Sequence, residues 1–138
     1  MAGVQNIESV SAVMDPDNLV HLRSVSPDFF HALERDFGDF NRHVLISHHA
    51  FDEPWPTWEI HPEGDELVLL LSGDSDLVLA GEGHVESVVR VTRPGDYVLV
   101  PKGTWHTARP HAPTSMLFIT PGQGTINALT PGGEPVQA

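Results

Sequence analysis

The chain has 138 residues and a mass of 15.1 kDa, enough for one domain with a real hydrophobic core. Seven basic residues against 19 acidic ones give a formal charge of −12, a field that repels nucleic acid and anionic membrane surfaces. There is no cysteine, so disulfides, iron–sulfur clusters and thiolate zinc sites are excluded and any metal must be held by imidazole and carboxylate.

In chain order, Met1–Val13 lacks the basic and apolar stretches of a signal peptide, and the reading is a cytoplasmic protein. Residues 1–24 show no sustained period and are expected to hold at most a short strand. Ser26-Pro27-Asp28 then opens a short helix: Ser26 suits the cap, Pro27 the first helical position, and Asp28 the positive end of the dipole. Phe29, Phe30, Leu33 and Phe37 recur at helical spacing and Gly38 ends the run, so a helix over residues 26–37 should pack its phenylalanines on the outside of a sheet.

From residue 42 the pattern changes to strands. Segments at 42–51, 57–61, 66–71, 77–80, 85–91, 97–100, 105–108 and 115–120 are separated by Gly- and Pro-bearing turns such as Pro62-Glu63-Gly64 and Pro101-Lys102-Gly103. Eight or nine short, evenly spaced strands are the pattern of a sandwich or barrel. Leu67–Leu71 is apolar on both faces and far too short to span a membrane, so one face should line the interior and the other be covered by the helix or a second subunit. The domain division reads as 1–41 for an arm and helix, 42–121 for the barrel, and 122–138 for a loose tail.

Two segments carry chemistry. Alternate residues of a strand share a face, so Glu59 and His61 point the same way. The turn at residues 62–64 brings Glu66 opposite His61, and the turn at residues 101–104 leads into the strand bearing His106. Two imidazoles and a carboxylate converging from different strands make a facial triad with open positions, and Glu59 offers a fourth ligand.

These segments resemble the paired motifs of the cupin superfamily. His61, Glu66 and Gly73 match the second His, the Glu and the closing Gly of the first motif, and Gly95, Pro101, Gly103 and His106 match the second without a gap. Glu59 stands where the first motif has its first His, and Pro110 where the second often ends in Asn. The resemblance covers roughly residues 42–121. It implies a small single-domain cupin of the cupin 2 type: an all-β, double-stranded β-helix (jelly-roll) barrel with one short N-terminal helix packed outside.

It further implies one divalent transition metal, Fe, Mn, Ni, Co or Zn, held by Glu59, His61, Glu66 and His106. A small-molecule site would lie within the barrel, and the expected assembly is a homodimer. An anionic Glu59 in place of a neutral His favours harder ions and disfavours copper. The function expected is a metal-dependent enzyme of dioxygenase-like or isomerase-like type, with a non-catalytic, even metal-free, binding or sensing module as the alternative. Only one of His48 and His49 can face inward; His48, Tyr97, Leu99, Met116 and Phe118 are the pocket-lining candidates. Trp58 and Trp105 fall on the face opposite the ligands, where packing is the default role.

Overall fold

The computed structural model describes residues 3–137. Its strands are β1 (Val10–Met14), β2 (Val20–Ser24), β3 (Val44–Phe51), β4 (Trp58–Ile60), β5 (Glu66–Ser72), β6 (Ser75–Ala80), β7 (Glu86–Val91), β8 (Tyr97–Val100), β9 (Trp105–Pro110), β10 (Thr114–Thr120), β11 (Ile126–Ala128) and β12 (Pro135–Val136). One helix, α1 (Phe29–Phe37), lies between β2 and β3. The strands form two six-stranded sheets, ordered β2-β1-β3-β10-β5-β8 and β12-β11-β4-β9-β6-β7, and every pairing is antiparallel. From β3 to β11 successive strands alternate between the sheets, apart from the β6–β7 hairpin, and the two sheets curl face to face into a double-stranded β-helix barrel.

Alternation decides which residues fill the barrel. In β10 Met116, Phe118 and Thr120 are buried while Leu117 and Ile119 are half-buried, and in β5 Glu66, Val68 and Leu70 are buried. From the first sheet Val68, Leu70, Val100, Met116 and Phe118 meet Leu77, Val91 and Ala108 of the second to form the main core. Each fully buried aliphatic side chain there contributes roughly 1.5–3 kcal/mol. Gly73, which closes the β5–β6 turn, has φ +99°, and an added Cβ would strike the Pro113 carbonyl and lie 2.6 Å from Thr114 Cα. Glycine is required at that turn on both counts.

Helix α1 is shorter than the sequence suggests. It begins at Phe29 with Asp28 at the cap position, and Ser26 Oγ donates to Asp28 Oδ1 at 2.7 Å instead of capping the helix. The helix stands outside the strand framework, at its open side. Phe29 and Leu33 pack on Val13 and Leu45. Val13 pairs with Leu45, and Leu45 with Thr120, so the helix meets the same sheet face that lines the barrel and not the outer one. The outer row of Leu67, Leu69, Tyr97 and Leu99 is therefore not covered by α1.

Both ends of the chain hold more structure than expected. Residues 10–24 form a full hairpin, β1–β2, that extends the first sheet through β3. The segment expected as a loose tail adds β11 and β12 to the second sheet beside β4. The described residues hold twelve strands, against the eight or nine expected from the sequence. No helix among the described residues is long and apolar enough to cross a membrane.

Candidate metal centre

Glu59 on β4 and His106 on β9 are direct register partners, so their side chains leave the second sheet on one face. His61 follows β4 by one residue, and its carbonyl accepts the Gly103 N–H at 3.0 Å. That bond joins the two ligand-bearing segments. Gly103 has φ +72°, a conformation that leaves its N–H free to reach across. Beside it Asp65 Oδ1 accepts the Lys102 N–H at 2.7 Å, which makes Asp65 a loop fastener facing away from the site. Glu66 comes from β5 in the opposite sheet.

Four side chains thus converge at the mouth of the barrel. His106 Nε2 lies 3.0 Å from Glu66 Oε1, and His61 Nε2 lies 3.2 Å from Glu66 Oε2. Glu59 Oε2 is 3.7 Å from His61 Nε2 and 3.9 Å from His106 Nε2. One ligand atom from each of Glu59, His61 and His106 fits within 4.8 Å of the others. Ligands about 2.0–2.2 Å from an ion sit about 3 Å apart at neighbouring corners of an octahedron and about 4.2 Å apart at opposite ones. The observed separations fall in that range.

The far atoms of these side chains are fixed by neighbours. His61 Nδ1 is 2.8 Å from Thr125 Oγ1, and that hydroxyl spends its own proton on the Gly122 carbonyl at 2.9 Å. Thr125 therefore accepts, and Nδ1 carries the proton. His106 Nδ1 faces the Thr104 carbonyl at 3.2 Å, which can only accept, so that nitrogen is protonated as well. Both Nε2 lone pairs are left pointing into the site. Thr120 Oγ1 donates to Glu66 Oε2 at 2.6 Å and leaves Oε1 free.

His61 Nε2, His106 Nε2 and Glu66 Oε1 are buried and have no hydrogen-bond partner, although each imidazole nitrogen lies 3.0–3.2 Å from a Glu66 oxygen. With the protons on Nδ1, each Nε2 can only accept, as the Glu66 carboxylate does, so these atoms cannot satisfy one another. Leaving such groups buried and unpaired costs roughly 1–3 kcal/mol each. The donor set fits a divalent cation. Imidazoles held in the Nδ1–H form by a hydroxyl or carbonyl are the usual arrangement behind a metal ligand.

The electrostatics agree. Burial alone would raise the Glu66 carboxyl, but contact with His106 and His61 and their charge reverse this and hold it at about 2. Burial pulls the His106 imidazole down, and the contact with Glu66, the charges of Glu66 and Glu59 and the Thr104 carbonyl raise it above its ordinary value. Glu59 is pushed up, chiefly by burial. Two carboxylates around two imidazoles draw positive charge to this point.

A cavity of about 1070 Å³ opens from the centre toward α1. Phe118 lines it, as expected. His48 borders it, as expected, with its Nε2 buried and unpartnered although its register partner is Leu117; His49, the partner of the buried Met116, borders it too but is exposed, its ring 6.2 Å from that of Trp55. Met116 is fully buried in the core and does not reach the cavity. Tyr97 and Leu99 are 65% and 51% exposed, because Val98 and Val100 take the inward positions of β8 opposite Val68 and Glu66. Trp58 and Trp105 pack together on the outer face of the second sheet with Ala80 and Ala128, in the packing role expected.

Sequence reasoning missed Thr104, Thr120 and Thr125, and also Trp55, whose ring lies 6.4 Å from that of His106. Thr104 and Thr120 sit at strand ends on either side of the motif residues, a signal too ordinary to single out.

The family model for the cupin domain, Cupin_2, matches residues 46–120, from within β3 to the end of β10. No curated protein matches the chain. Among solved structures, an oxalate decarboxylase from Bacillus subtilis with Mn(II) centres superposes at a TM-score of 0.52, with 15% identity over 62% of this chain and 23% of that one. Peruvianin-I, a cysteine peptidase from Thevetia peruviana latex, gives a TM-score of 0.50 with 18% identity over 59% of this chain and 53% of that one. A cupin superfamily protein from Desulfitobacterium hafniense DCB-2 is 26% identical over 56% of this chain and 65% of that one, at a TM-score of 0.47. The chain spans less than two thirds of the length of each of these three structures. The family match covers more than half of the residues, and it contains both motifs with the converging Glu59, His61, Glu66 and His106: the chain belongs to the cupin family.

Proposed function

We propose that this cupin holds one divalent transition metal through His61, Glu66 and His106, with Glu59 as a fourth and looser ligand, and acts on a small molecule in the adjoining cavity. One observation carries the reading: three buried, unpartnered ligand atoms aim at one point while their opposite atoms are tied by Thr125, Thr104 and Thr120. Two carboxylates and two imidazoles suit Fe, Mn, Co, Ni or Zn better than copper. When bound, such an ion supplies a Lewis acid and a template at its open positions.

The chain's own residues do the rest. The threonines fix both imidazole tautomers and the orientation of Glu66, so the site needs little rearrangement to accept its ion. Trp55 and Phe118 pack together with their rings 5.8 Å apart and form an apolar wall that keeps water from the inner side. Glu59, facing the cavity, is placed to meet both ion and ligand. This suits dioxygenase-like or isomerase-like chemistry, in which a bound substrate is oriented and polarised within a dry pocket.

Elemental analysis with metal titration tests the reading. The protein should take up about one equivalent, and His106→Ala should take up none. Less than about a tenth of an equivalent after titration, or unchanged uptake by His106→Ala, would overturn it. Loaded protein can then be screened for oxygen consumption with diketones, aromatic diols and thiols.

A further inference from the structure

The charge of the cavity walls restricts what can bind there. None of the seven basic residues borders the cavity, whereas Glu34, Asp39, Glu59 and Glu66 do. Four of the arginines are engaged elsewhere: Arg23 and Arg35 with Asp36, Arg90 with Asp74, and Arg109 with Glu86. Two carboxylates at the centre also cancel the charge of a divalent ion. An anionic ligand would leave water for walls that hold four carboxylates and no lysine or arginine, at a cost of several kcal/mol.

The rest of the wall mixes neutral polar side chains, among them Ser47, His48, His49 and Asn127, with an apolar stretch on the side of α1. Phe29, Phe30 and Leu33 of α1, with Leu45 packed against them, and Phe118 supply the apolar part of the lining. Besides the converging site atoms, three unpartnered polar atoms belong to residues that border it: Ser11 Oγ on a residue only 1% exposed, His48 Nε2 and Trp55 Nε1. An indole N–H can only donate, so Trp55 calls for an acceptor on the ligand.

We infer that the cavity takes an uncharged or cationic small molecule, with an apolar body of aromatic-ring size and an oxygen acceptor for Trp55 Nε1–H, and rejects small dianions of the oxalate kind. The inference rests on the assignment of this cavity as the substrate site. It does not rest on the ion, because the discriminating walls are protein.

Two naphthalene probes of similar size test it on the full chain, both zinc-loaded and chelator-treated. Prodan is uncharged and carries a ketone; 1-anilinonaphthalene-8-sulfonate carries a fixed negative charge. Prodan should bind at least about tenfold more tightly in both forms, since an anion with no lysine or arginine to meet is penalised more than that. Equal or tighter binding of the sulfonate overturns the inference. Zinc uptake is measured separately: failure to take up zinc with probe discrimination intact removes the metal reading alone, and zinc uptake without discrimination removes this inference alone.

Variants locate the probe. Leu33→Trp should fill the cavity and weaken prodan at least about tenfold. Phe30→Ala, safe for folding because Phe30 is 74% exposed, should weaken it as well. Leu99→Ser, on the outer row, should leave it unchanged. Binding lost in Leu99→Ser and kept in both cavity variants places the probe elsewhere and overturns the inference. Trp55→Phe keeps the ring and removes the donor, and should weaken prodan about three- to tenfold. No loss there overturns the acceptor.

Discussion

The two carboxylate corners of the site are built differently. Glu66 is 2% exposed, comes from a seven-residue strand paired on both sides, and has one oxygen fixed by Thr120. Its carboxyl is held at about 2 by the imidazoles despite burial. Glu59 comes from a three-residue strand, keeps 31% of its side chain exposed toward the cavity, and has no hydrogen-bond partner among the described residues; burial pushes its carboxyl up. The difference teaches that the corner matching the cupin motif is pre-organised, while the corner where this chain departs from the motif is not. A ligand of the second kind can yield its place to a substrate or carry a proton without dismantling the site.

Chelator-competition measurements of metal affinity can break that comparison. Glu66→Gln should have the largest effect, a loss of more than about a hundredfold, because it removes a ligand whose position is fixed on every side. Thr120→Val should come next, at about ten- to a hundredfold, since it frees Glu66 to rotate. Glu59→Gln should cost less than about tenfold, so that the loss of a supporting hydroxyl outweighs the loss of a carboxylate. Equal losses in Glu59→Gln and Glu66→Gln would erase the distinction between the corners. The smallest effect on affinity belongs to Gly73→Ala. It should lower stability by about 1–3 kcal/mol in denaturant through backbone strain and collision, while the folded fraction binds metal normally.

The same contrast explains what the sequence made legible. His61, Glu66 and His106 could be read because turns at fixed spacing return the chain to the same mouth, and glycines at residues 73, 95 and 103 all adopt positive φ. The tying threonines could not, because their partners lie as far as 64 residues away in the chain. β8 is apolar on both faces, so the sequence does not separate Tyr97 and Leu99 from Val98 and Val100; only its register, Val98 to Val68 and Val100 to Glu66, decides which row turns inward. Likewise β1 is five residues long, too short for alternation to declare itself, and β11 and β12 are strands only because β4 offers them an edge.

Glu66 and Thr120 belong to one sheet, and Glu59 and His106 to the other. A cation seated among them would be a rivet through both layers at the open end of the barrel, where no strand pairing joins the sheets. Occupancy and mechanical integrity would then be one equilibrium: chelation would loosen the mouth before the apolar floor around Leu70 and Leu77 gives way, and metal supply would set how long the folded chain endures.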